Sequence, residues 1–78
     1  MGDKVTDPLI KFVKSRRRSM GLTQKDLADR AGVGLRFIRD LEQGKESLRM
    51  DKVNQVLALF GHRMEPVAYR MEVADEEG

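Results

Sequence analysis

The 78 residues, 36% charged and 40% hydrophobic, make one small globular unit, and with no cysteine there is no disulfide framework, zinc–thiolate site or thiol nucleophile. The net charge of +2 hides a division: residues 1–49 carry 12 Lys and Arg against 7 Asp and Glu (+5), and residues 50–78 carry 3 against 6 (−3). No run of 18 apolar residues and no charged-then-apolar leader is present, so a membrane span or export signal is not expected and a cytoplasmic address is.

A basic N-terminal half suits a phosphate backbone, although a solvated charged surface has the same composition. A chain of this size buries about 60–65% of its unfolded surface, so pairing of two copies would reinforce a marginal core.

The first helix is expected to start at Asp7, as cap, with Pro8 at the first helical position, and to run to about Met20. Leu9, Val13, Arg17 and Met20 share one face, which puts an arginine in the middle of an apolar stripe. Arg16 and Arg18 point elsewhere, and a nuclear-import reading of SRRRS is their alternative.

Thr23 can cap a second helix with its hydroxyl on the backbone N–H of Asp26, while Leu22 and Leu27 occupy the two positions of a hydrophobic staple. Leu27, Ala28 and Ala31 form its apolar stripe, with Ala28 small enough for a close helix crossing. Gly32 ends it, because glycine enters the left-handed region at little cost. A third helix follows with Val33, Phe37, Ile38 and Leu41 inward and Leu35, Arg36, Arg39 and Asp40 outward, ending at Gly44. The layout is that of a DNA-reading helix-turn-helix; an αα-hairpin in any small bundle is the alternative.

A fourth helix over residues 50–60 places Met50, Val53, Leu57 and Phe60 at core spacing, with Gly61 as its stop. Met50, Met64 and Met71 read as packing residues. His62 stands just past the helix end with no second histidine or cysteine, so no metal site and no catalytic centre is expected. Residues 64–73 then change period: Val67, Tyr69, Met71 and Val73 alternate with Ala68, Arg70 and Glu72, as in a half-buried strand. A lone strand leaves its backbone groups unpaired, so its expected mate is the same strand of a second copy; a flexible tail is the alternative. Residues 74–78 carry three acids and are expected to be disordered.

The spacing of Ala28, Gly32 and Ile38, with GLTQ before the second helix and LEQGK after the third, resembles the Cro and XRE family of phage and bacterial repressors over about residues 8–61. A four-helix domain followed by a strand resembles the HipB-type antitoxins of that family. The resemblance implies an all-α, repressor-like helix-turn-helix domain over residues 1–61, a C-terminal dimerisation β-strand over residues 62–73 and an acidic tail over residues 74–78.

It also implies a homodimer on a near-palindromic double-stranded DNA operator, and a partner resembling the HipA kinase toxin; no cofactor is implied. Carried over residue by residue, Arg17 and Glu42 would form a structural ion pair between the first and third helices. Gln24 would bond a phosphate and buttress the recognition helix. Leu35, Arg36 and Asp40 would face base edges, Arg36 a guanine and Leu35 a thymine methyl, while Gly34, Arg39, Gln43 and Lys45 would lie along phosphates. A phage-type or restriction-controller repressor shares this chemistry without the toxin. A helix-turn-helix used only as a scaffold for protein contacts, or an enzyme, is a different class; for the latter the chain has no evident nucleophile, base or metal set.

Overall fold

The computed structural model describes residues 6–68, with side chains from residue 8 onward. Four helices follow in order: α1 (Thr6–Ser19), α2 (Gln24–Ala31), α3 (Leu35–Glu42) and α4 (Met50–Leu59). α1 starts before the expected cap, so Asp7 lies inside its first turn; Pro8 is still in that turn, where its missing N–H leaves no intrahelical bond unmade. Arg16, Arg17 and Arg18 fill the last turn, the end at which positive charge is favoured. The chain leaves α1 through bonds from Gly21 N–H to the Arg18 carbonyl and from Leu22 N–H to the Arg17 carbonyl, both 3.0 Å.

α2 begins as its local sequence dictates. Thr23 Oγ1 accepts from Asp26 N–H at 3.0 Å, and the Asp26 carboxylate accepts from Thr23 N–H at 3.0 Å, a reciprocal capping box. Leu22 and Leu27, either side of the cap, are both buried. Gly32 closes the helix at φ +77°, and both its own N–H and that of Val33 reach the Ala28 carbonyl at 3.0 Å. α3 begins three residues later, at Leu35.

The core gathers Val13 from α1, Leu27 and Ala28 from α2, Val33 from the turn, Ile38 and Leu41 from α3, and Val53, Val56 and Leu57 from α4. Burying each larger aliphatic side chain contributes about 1.5–3 kcal/mol. α2 packs against both α3 and α4, and α1 packs against α3.

Two expected core residues stay outside. Met20 is 45% exposed beyond the end of α1, and Met50 is 56% exposed in the first turn of α4. The inward side of α4 is instead Val53, Val56 and Leu57, consecutive neighbours across one turn.

Past α4, the N–H groups of Gly61 and His62 bond the Ala58 and Leu57 carbonyls at 3.0 and 2.9 Å. The following segment folds back on α4: Met64 N–H donates to Asn54 Oδ1 at 2.7 Å, and the Met64 side chain packs against the core. The expected C-terminal strand is not formed in the part that is described. Residues 62–68 contain no strand, and Val67 is 81% exposed. The physical reason is that a strand is made by ladder hydrogen bonds, and the described residues of one copy supply no edge for this segment. Tyr69, Met71, Val73 and the acidic tail lie outside the described residues.

Candidate nucleic-acid interface

Two contacts hold the end of α3, one from α1 and one from α2, and a third braces the turn that leads into it. The first joins α1. Arg17 Nε donates to Glu42 Oε2 at 2.8 Å and Nη2 donates to Oε1 at 3.1 Å, a two-pronged fork, while Nη1 donates to the Leu22 carbonyl at 2.9 Å. The two side chains are only 14% and 3% exposed. The arginine in the apolar stripe of α1 is thus matched by a carboxylate from α3.

Gln24, at the start of α2, adds a second hold: its Nε2 donates to Glu42 Oε1 at 3.1 Å. Burial by itself would push the Glu42 carboxyl up. The bonds from Arg17 and Gln24, with the charges of Arg17 and Lys14, outweigh it and hold the group below its ordinary value. The third contact was not legible in the sequence. Gln55 Nε2 of α4 lies 3.4 and 3.3 Å from the Ala31 and Gly32 carbonyls, clasping the turn between α2 and α3.

With Ile38, Leu41 and Glu42 buried, α3 turns Arg36, Arg39 and Gln43 to solvent. These residues recur at intervals of three and four, so they share one ridge. Neither arginine side chain has a hydrogen bond or ion pair among the described residues. Asp40 is half-buried beside them and Lys45 is exposed; their charged atoms lie 3.6 Å apart, and Lys45 N–H bonds the Asp40 carbonyl at 3.0 Å. The two residues expected to meet a base and a phosphate therefore meet each other in the free protein.

Leu35 is half-buried and packs in part on the core, leaving only part of it for an outer contact. Phe37 is half-buried in the same way. Gly34 is the N-cap of α3 and supplies no side-chain bond, so the first-turn N–H groups have no side-chain acceptor, unlike those of α2.

A helix with side chains is about 10–12 Å across, the width of a B-DNA major groove of about 12 Å. An exposed two-arginine ridge on a braced helix can donate hydrogen bonds to base edges and phosphates. No group of three His, Cys, Asp or Glu is placed to hold a metal among the described residues. His62 is exposed, with its Nδ1–H donating to the Phe60 carbonyl at 2.7 Å. No described helix is long and apolar enough to cross a membrane.

Two comparisons bear on this site. The helix-turn-helix family model matches residues 13–64, which take in the second half of α1 and all of α2, α3 and α4. An uncharacterised HTH-type transcriptional regulator of Sinorhizobium fredii (strain NBRC 101917 / NGR234), y4mF, is 50% identical over 50 residues. That alignment covers 64% of this chain and 66% of the relative, just under two thirds of its length.

Proposed function

The chain belongs to the Cro/XRE-type helix-turn-helix family, and on that premise we propose that it is a sequence-specific DNA-binding transcriptional repressor rather than an enzyme. The observation that carries this reading is the pair Arg36 and Arg39, exposed and without a hydrogen bond or ion pair among the described residues, on a helix whose end Arg17 and Gln24 hold from behind through Glu42.

In this reading α3 enters the major groove. Arg36 forks onto a guanine, whose O6 and N7 suit a guanidinium, the outer part of Leu35 meets a thymine methyl, and Asp40 faces a neighbouring base edge. Gln24, Gly34, Arg39, Gln43 and Lys45 lie along the phosphates and set register. Asp40 and Lys45 part as the lysine takes a phosphate.

The protein acts as a homodimer in the cytoplasm, on a near-palindromic operator with half-sites about 34 Å apart. Residues 1–61 bind the DNA. The segment over residues 62–73 joins the two copies, with Val67, Tyr69, Met71 and Val73 pairing as a strand only when a second copy provides the edge. The HipB-type resemblance extends the reading to an antitoxin that represses its own operon and holds a kinase toxin resembling HipA.

Each part has its own test. Duplexes selected by the purified protein from a random-sequence library should converge on one near-palindrome; no enrichment would refute sequence-specific binding. Light scattering should give a dimer, lost on truncation after Met64 with helical content retained. Purification from the native operon should bring down the neighbouring gene product, and its absence would remove the antitoxin role.

A further inference from the structure

α1 carries a row of positive charge that makes no hydrogen bond or salt bridge to the core or to the Arg17–Glu42 fork. At about 100° per residue, Lys14, Arg18 and Lys11 fall roughly 60° to 120° round the helix from Arg17, on the side opposite Leu9 and Val13. Lys11 and Arg18 are exposed and Lys14 is half-buried. None of the three side chains has a hydrogen bond or salt bridge among the described residues.

This flank is the one turned toward the end of α3. Ile10 borders it, between Arg17 and Lys14 round the helix, and a Cβ added to Gly44 would sit 3.4 Å from Ile10 Cδ1. Arg17, at its edge, grips Glu42. Lys14 is near enough for its charge to act on the same carboxylate. The Lys14 edge of the row therefore lies on the side of α1 that meets the loop carrying Gln43 and Lys45, with Lys11 and Arg18 continuing it into solvent. The acids at that end are already engaged, Glu42 by Arg17 and Gln24 and Asp40 by Lys45. From Lys11 to Arg18 the helix rises about 10 Å, which matches the axial rise of about three phosphates on one strand.

We propose that Lys11, Lys14 and Arg18 form a second DNA-backbone contact on α1, continuing the phosphate path of Gln43 and Lys45 beyond the reach of the recognition helix. It rests on the DNA-binding reading above. Because phosphates carry no base identity, the row adds affinity and salt dependence without adding sequence preference.

The test uses the full-length chain in three forms: wild type, the double variant Lys11→Gln/Arg18→Gln at the two exposed positions, and the triple variant that adds Lys14→Gln. Fluorescence anisotropy on a selected duplex and a scrambled one, between about 50 and 200 mM salt, gives the slope of log K against log salt. Each charge removed from a phosphate should reduce the magnitude of that slope by about 0.9, and affinity should fall by the same factor on both duplexes. Thermal melting checks folding, and the double variant carries the test if the triple variant melts early. Unchanged slopes in a wild type that binds DNA would overturn the α1 contact alone, leaving the row to an acidic protein surface. A wild type that binds neither duplex would overturn this contact and the DNA reading together.

Discussion

Arg17 and Glu42, 25 residues apart in sequence, are joined by two parallel hydrogen bonds of 2.8 and 3.1 Å, and both side chains are largely withdrawn from water. The pair ties the first helix to the third, so the helix that carries the exposed arginines cannot pivot without breaking a charge-assisted fork. Removing one partner strands the other charge in a poorly solvated place. Arg17→Ala and Glu42→Ala should each cost about 3–5 kcal/mol, and the double variant should lose less than the sum. A double-mutant cycle by denaturant unfolding measures this; strictly additive losses would mean that the two do not interact.

The same fork predicts an acid-sensitive fold. The Glu42 carboxyl is held below its ordinary value of 4.5, so above that pH it contributes its full stability, and the contribution is lost as pH falls through the depressed folded pKa. Stability should therefore rise with pH across the acidic window. Asp26 and Asp51 are also lowered and add to the rise, so the informative quantity is the difference between wild type and Glu42→Gln. The variant should show a shallower rise. Identical pH profiles would remove Glu42 from the linkage.

Much of α2 and its turn was legible because the signals are local. Thr23, Asp26 and Gly32 act within four residues of where they stand, and Leu22 and Leu27 follow from the cap. The outward placement of Arg36 and Arg39 followed from helical spacing alone. What could not be read depends on tertiary approach. Gln55 reaches back 23 and 24 residues to two carbonyls, and no periodicity marks a glutamine for that task. Val56 is buried where Met50 was expected, and Met50 stands exposed in the first turn of α4. The pairing of Asp40 with Lys45 depends on how the loop leaves α3. The strand follows from alternation, but its existence requires an edge that the described residues of one chain do not supply.

Two glycines near the turn should respond oppositely to substitution. Gly32 has φ +77°, and a Cβ there would meet Gln55 Nε2 at an ordinary 3.6 Å, so the backbone conformation rather than crowding sets the penalty. Gly32→Ala should destabilise by about 1–2 kcal/mol. Gly34 has φ −77° with open space around it, and Gly34→Ser can cap α3, adding a few tenths of a kcal/mol. Thermal or urea unfolding separates the two; equal losses would contradict the assigned backbone geometry.

At the start of α2, Thr23→Ala removes the acceptor for Asp26 N–H and should cost about 1 kcal/mol. Because α2 packs on both α3 and α4, the loss should appear in global unfolding, not as local fraying. Amide hydrogen exchange on α4 reports it: protection there should fall together with that of α2, and an effect confined to residues 23–27 would show that the helix end frays independently.

The central claim, that α3 reads bases while its flanks hold the backbone, is tested most directly by comparing Arg36→Ala with Lys45→Ala on a panel of operator duplexes, each changed at one base pair. Arg36→Ala should lose about 1–3 kcal/mol of discrimination at a single base pair and keep the rest of the pattern. Lys45→Ala should weaken every duplex alike and flatten the salt slope by about 0.9, with the base preference untouched. Equal losses on all duplexes for both variants, with no position where Arg36 alone matters, would contradict base reading by this helix.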